Sequence, residues 1–217
     1  MIVLTDFKIM TMTKHKNKQK WLDEHFNDEY VKKAQQMGLR SRAVFKLEEI
    51  DKKDKLLRPN QIVVDLGAAP GGWSEYATKK VTGNGRVIAL DLLDIEPING
   101  VDFIKGDFSD DGVFEELQSL INNQPIDVVM SDIAPNMSGS KAIDQPRSMY
   151  LAELALDFAK NGLAKKGVFL IKLFQGEGFD QYVKEVKSIF VSVAIRKPKA
   201  SRARSREVYL LAKGLKL

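Results

Sequence analysis

The chain has 217 residues, 44% of them hydrophobic, enough for one substantial α/β core and too few for two ordinary domains with linkers. It contains no Cys, which excludes disulfides, thiolate metal sites and cysteine-nucleophile chemistry, including thiol-dependent methylation of RNA bases. Its net charge of +5 conceals an asymmetry: fourteen basic against nine acidic residues over 1–60, twelve against nineteen over 61–192, and eight against one over 193–217.

Basic ends around an acidic middle suit a phosphate-backbone ligand beside an acidic cleft, if both ends fold onto one face. Residues 1–20 are polar and basic without a sustained period, and Lys14-His15-Lys16-Asn17-Lys18 reads as part of a disordered leader. The start lacks a charged-then-apolar signal pattern, and no apolar run reaches the roughly 18 residues of a membrane span, so a cytoplasmic protein is expected. His15 and His25 have no ligand-like neighbours, and no metal is expected. Residues 21–58 form a basic helical part, with Val44, Leu47 and Ile50 at helical spacing. Together with 59–217 they are expected to make a single domain.

From Gln61 onward, strands alternate with amphipathic segments. The strands are Ile62–Leu66, Arg86–Leu90, Val101–Ile104, Ile126–Ser131 and Val168–Leu173, and helices are expected near 72–81, 112–122, 146–163 and 178–190. Two further strands, Val191–Arg196 and Glu207–Ala212, flank a loop short enough for an antiparallel hairpin at the sheet edge. The pattern predicts an α/β, Rossmann-like fold: a seven-stranded, mostly parallel sheet with helices on both faces and its ligand beyond the strands' carboxyl ends.

The first of these strands runs into Asp65-Leu66-Gly67-Ala68-Ala69-Pro70-Gly71-Gly72-Trp73, a tight turn opening a helix. Its glycines allow backbone to approach a nucleotide-like ligand. The spacing matches neither G-x-G-x-x-G nor G-x-x-x-x-G-K-[ST], which disfavours pyrophosphate and triphosphate ligands. Asp91, 24 residues after Gly67, can accept two ribose hydroxyls, and Asp107, beside Phe108, an adenine amino group. Asp132 ends the fourth strand. Each aspartate alone reads as a cap or turn former, but three in succession at strand ends suit a cofactor with a cationic centre and no phosphate. S-adenosylmethionine fits that description.

Lys172 closes an apolar strand and reads equally as a snorkelling or a buried, partnered lysine. Lys46, in Arg40-Ser41-Arg42-Ala43-Val44-Phe45-Lys46-Leu47, reads by itself as a solvated helix residue. Glu207, the sole acid of the basic C-terminal end, reads as a surface partner of Arg204 or Arg206.

The segments Arg40–Leu47, Asp65–Trp73, Ser131–Gly139, Lys172–Gly178 and Ser201–Glu207 together resemble the FtsJ family, in order and without large gaps from about Trp21 to Lys213. The resemblance implies a catalytic tetrad of Lys46, Asp132, Lys172 and Glu207. It also implies S-adenosylmethionine binding by Gly71, Trp73, Asp91, Asp107 and Asp132. By the same resemblance, the substrate is a uridine in the A-loop of 23S ribosomal RNA, methylated at its 2′-oxygen on the assembled large subunit. RNA backbone contacts then fall to Arg40, Arg42, Arg202, Arg204 and Arg206, and a monomer is expected. Competing readings are a 2′-O-methyltransferase for another structured RNA such as transfer RNA, and a non-catalytic ribosome-assembly factor. A base N-methylase is disfavoured, because Asp132-Ile133-Ala134-Pro135 lacks the double proline and aromatic of that loop.

Overall fold

The structure, a computed structural model, describes residues 28–202 and 204–216. The basic leader, both histidines and Trp21 lie outside them. The chain divides into two compact units, residues 1–42 and 43–217.

In the first unit, Asp28 caps helix α1 (Glu29–Gln36) by accepting from the amides of Tyr30 and Val31 at 3.0 and 3.4 Å. The helix ends at Gly38, whose φ of +64° suits glycine, and the Leu39 amide returns to the Ala34 carbonyl at 2.8 Å. Arg42 pairs with Asp28.

The second unit opens with α2 (Val44–Asp54), followed by β1 (Ile62–Leu66), α3 (Gly72–Thr78), β2 (Arg86–Asp91), β3 (Val101–Lys105) and α4 (Asp111–Leu120). Then come β4 (Ile126–Ser131), α5 (Lys141–Gly162), β5 (Leu163–Phe174), α6 (Phe179–Ile189), β6 (Phe190–Arg196) and β7 (Glu207–Leu215). The seven strands form one sheet in the order β3-β2-β1-β4-β5-β7-β6. The first five are parallel, and β7 inserts antiparallel between β5 and β6. This is the expected Rossmann-like architecture with its antiparallel hairpin.

Strands β1 and β4 have the bounds expected of them, since fully buried parallel strands read as apolar runs closed by turn residues. The other elements shift by one or more residues at an end, and three of these shifts are instructive. Helix α5 starts at Lys141 rather than 146: Pro146 resembles a helix-opening proline, yet lies inside the helix. Strand β5 starts at Leu163 rather than Val168, because Ile126 pairs with Leu163 before a register shift that brings Val128 opposite Val168. Strand β7 continues to Leu215, as Lys213 and Leu215 pair with Ser192 and Phe190 of β6.

The core fills the sheet's faces with residues such as Val64, Leu90, Val129, Phe169 and Leu210, each fully buried. A side chain of this kind contributes roughly 1.5–3 kcal/mol on burial. Two buried or half-buried carboxylates fasten helix α2 to its neighbours, and the second of them reaches the sheet at β6. Asp51 accepts from the Leu56 and Leu57 amides and the Tyr76 hydroxyl at 2.9–3.0 Å, and Asp54 holds Arg196 by two bonds of 2.8 and 2.7 Å. Because the strand order reverses between β2-β1 and β4-β5, a crevice opens at the carboxyl ends of β1 and β4.

Candidate active site

The chain leaves β1 at Gly67, with φ +70°, where a Cβ would stand 2.9 Å from the Ile133 side chain. Glycine therefore lets the loops after β1 and β4 approach this closely. The Ser131 hydroxyl ties the strand ends together by donating to the Leu66 carbonyl at 3.0 Å. Beside them lies a cavity of about 420 Å³, whose lining includes Gly67, Asp91, Asp107, Phe108, Asp132 and Ile133.

Main-chain amides orient two of its carboxylates. Asp91 accepts from Ala69 and Leu93, each at 2.8 Å and each on a different oxygen, and Asp107 accepts from the amide and hydroxyl of Ser109 at 2.9 and 2.7 Å. Lone pairs remain on both for a ligand's hydroxyl or amino groups. Among the described residues lining the cavity there is no Lys or Arg. Its field therefore suits hydroxyls and a cation and opposes phosphate.

Gly71 and Trp73, expected at the cofactor, are not among the lining residues. Gly71 is the N-cap of α3, at φ +96°. The Trp73 side chain is turned into the protein: its indole N–H donates to the Ala43 carbonyl at 2.8 Å, and its ring lies 5.8 Å from that of Tyr209.

Next to the cavity is a largely buried knot of charges. Lys46 Nζ meets Glu207 Oε1 at 2.7 Å, with the two side chains 7% and 12% exposed. Lys172 Nζ meets Asp132 Oδ1 at 3.2 Å and donates to the Asp132 carbonyl at 2.5 Å. Sheet register assembles this group. Lys172 pairs with Tyr209 and Phe174 with Glu207 across β5 and β7, and the period of two puts Glu207 and Tyr209 on one face. The Tyr209 hydroxyl donates to Asp132 Oδ1 at 2.6 Å and lies 3.4 Å from Glu207 Oε1, linking the two ion pairs.

Burial pushes the Asp132 carboxyl up, but the Lys172 and Lys46 cations and the Tyr209 hydroxyl outweigh it, so the group sits below the usual carboxylate range. Burial, followed by the charges of Asp132 and Glu207, holds the Tyr209 hydroxyl protonated well above its ordinary value. Two local readings are corrected here. Lys46 is buried, not solvated, because Glu207 compensates its charge. Glu207 faces Lys46 rather than Arg206, whose guanidinium donates instead to the Gln175 carbonyl at 3.0 Å.

Comparison with known proteins bears directly on this arrangement. Residues 39–215 match the FtsJ-like methyltransferase family. The chain belongs to that family. The ribosomal RNA large subunit methyltransferase E of Stenotrophomonas maltophilia (strain K279a) is 56% identical over 202 residues, 93% of this chain and 96% of that protein. A crystal structure from Plasmodium falciparum, described as a ribosomal RNA methyltransferase, superposes with a TM-score of 0.73 at 30% identity, covering 81% of this chain and 98% of that one. The structure of an rRNA-methylase from Clostridium thermocellum, 19% identical, shares the fold at a TM-score of 0.54 over 78% of this chain and 96% of that one.

The sequence did not single out several residues that shape this FtsJ-like site. Tyr209 lies within the strand expected over Glu207–Ala212, with no role assigned to it. Asp144 and Gln145, near the start of α5, hold the loops that follow β4 and β5. Asp144 accepts from the Ser138 amide and hydroxyl, both at 2.8 Å, and from the Gly139 amide at 3.0 Å. Gln145 Nε2 donates to the Phe174 and Glu177 carbonyls at 3.1 and 2.9 Å. Consecutive residues of one helix thus steady both strand ends of the Lys172–Asp132 pair. The available signal was a polar pair before a proline, which is too common to stand out.

Proposed function

We propose that this FtsJ-like methyltransferase transfers a methyl group from S-adenosylmethionine to the ribose 2′-oxygen of a uridine in the A-loop of 23S ribosomal RNA, on the assembled large subunit. The observation that carries the reading is the knot of two linked, largely buried lysine–carboxylate pairs at the edge of a phosphate-averse cavity. The high identity to a large-subunit ribosomal RNA methyltransferase supports the substrate class, and the family resemblance supplies the uridine and the A-loop.

The donor set fits the cofactor. Asp91 is suited to the ribose hydroxyls, Asp107 with Phe108 to the adenine, and Asp132 to the sulfonium side of the cavity. When bound, S-adenosylmethionine supplies an activated methyl on a cationic sulfur. The remaining task of the chain is to align the 2′-hydroxyl and manage its proton.

Lys172 is placed for that task. As an ammonium it has three donors; two are engaged by Asp132, which leaves one for the 2′-oxygen. After losing a proton, the same nitrogen can accept the hydroxyl proton and release it to solvent. Asp132 anchors Lys172 in either state. Lys46, held by Glu207, offers a second cation to stabilise negative charge developing on the 2′-oxygen. RNA backbone contacts are assigned to Arg40 and Arg42 in the N-terminal unit and to Arg202, Arg204 and Arg206 in the loop before β7.

The test is transfer of labelled methyl from S-adenosylmethionine to large ribosomal subunits from a strain lacking the enzyme, with Lys172→Ala alongside and nuclease mapping of the product. Label on one A-loop ribose 2′-oxygen, lost in the variant, is the expected outcome. Donor binding without label on subunits, transfer RNA or capped RNA refutes catalysis and leaves a non-catalytic RNA-binding role.

A further inference from the structure

We propose that Ser201 is a positioning residue for the Lys46–Glu207 pair, through which the arginine-bearing loop of residues 197–206 sets the geometry of the methyl-transfer site. This rests on the reading given under Proposed function and adds a residue to it.

Ser201 is 4% exposed, and its hydroxyl donates to Glu207 Oε1 at 2.7 Å. The same oxygen takes Lys46 Nζ at 2.7 Å and has the Tyr209 hydroxyl at 3.4 Å. Tyr209 has only one proton, and it is directed at Asp132 over a shorter 2.6 Å. Among the described hydrogen bonds of neutral side chains, that of Ser201 is therefore the one committed to Glu207. A single ion pair leaves a carboxylate free to turn about its last side-chain bond. A second donor on the same oxygen from another direction arrests that rotation, and with it the place of Lys46.

The loop that delivers Ser201 is docked at several points. The Ser201 amide donates to the Pro198 carbonyl at 2.9 Å. The Lys199 amide donates to Glu49 at 2.8 Å, on the helix that also carries Lys46. Lys197 Nζ reaches the Ser205 carbonyl at 2.6 Å and the Glu207 carbonyl, closing the base of the loop. The segment is thus fastened both to the helix of Lys46 and to the strand start of Glu207, with Ser201 at their junction. Among the described residues, the Ser201 hydroxyl bonds Glu207 and not the Lys172–Asp132 pair, so it acts directly on one half of the knot. Arg202, Arg204 and Arg206 follow it in the chain, so RNA held by those residues bears on the segment that aligns Glu207.

The experiment compares the full-length wild type with Ser201→Ala and Ser201→Thr in methyl transfer to unmodified large subunits, separating kcat from KM. The loss expected for Ser201→Ala is about tenfold in kcat, the worth of one hydrogen bond to a charged group. The KM for subunits and the donor affinity stay within about twofold, because no binding contact is removed. Ser201→Thr, which keeps the hydroxyl, restores kcat. In a Glu207→Ala background, Ser201→Ala has no further effect.

A kcat for Ser201→Ala within about twofold of wild type overturns the proposal, as does an undiminished effect in the Glu207→Ala background. If Ser201→Ala does not fold, Ser201→Gly, which also lacks the hydroxyl, provides the same comparison, and unchanged kcat there is equally decisive. A wild type that transfers no methyl to RNA removes the parent reading; an active wild type with unimpaired Ser201 variants removes this inference alone.

Discussion

Replacing Asp65 by Asn should flatten the pH dependence of stability. Asp65 lies in β1, 1% exposed, with Ser74 donating to it at 2.6 Å. Burial pushes its carboxyl from 3.8 up to about 7 against the Ser74 bond, and the nearby charges of Asp132 and Asp91 add to the rise. A carboxyl raised in the fold favours the native state while it keeps its proton. That contribution is complete below the unfolded value and is lost as pH climbs through the folded one. At about 1.4 kcal/mol per pH unit, the full swing is on the order of 4 kcal/mol, of which about 2.5 kcal/mol falls between pH 5 and 8. Asn keeps an acceptor for Ser74 and has no proton to lose. Urea unfolding at pH 5, 6, 7 and 8 should show the stability of Asp65→Asn relative to wild type rising by about 2.5 kcal/mol across that range. Two curves that run parallel would mean that Asp65 does not titrate there, and the desolvation argument would fail.

Three further outcomes follow from the same geometry. If Lys172 takes the proton, Lys172→Arg should lower kcat by about 100-fold or more at neutral pH, since a guanidinium stays charged; near-full activity would leave Lys172 as an orienting group. Asp54→Ala should destabilise the fold by about 1–3 kcal/mol in urea unfolding, through loss of the two-bonded Arg196 contact. Because Arg196 chiefly holds the Asp54 carboxyl low, the wild-type advantage should persist above pH 3.8 and fade as pH falls below it. Affinity for large subunits should fall steeply with salt while donor affinity barely changes, since the cavity carries no cationic side chain among its described lining; matching salt slopes would contradict that assignment of ligands.

What the sequence determined by itself is the alternation of strands and helices, the bounds of β1 and β4, the antiparallel final hairpin and the aspartates at successive strand ends. These features are local: they follow from a period of two or of 3.6, from apolar runs closed by turn residues, and from glycines where backbone must come close. What only the tertiary structure decided is which charges are buried and with whom. Lys46 lies on a helix whose sequence suits water, and it is closed off by Glu207, 161 residues later in the chain. Tyr209 and Ser201 meet Asp132 and Glu207 through the register of β7 against β5 and the docking of one loop. Trp73, expected at the cofactor loop, directs its indole N–H to the Ala43 carbonyl and sets its ring 5.8 Å from that of Tyr209. The cost of burying a charge depends on the shell of partners around it, and that shell comes from segments far apart in the chain. No local pattern contains it, and only the folded sheet brings it together.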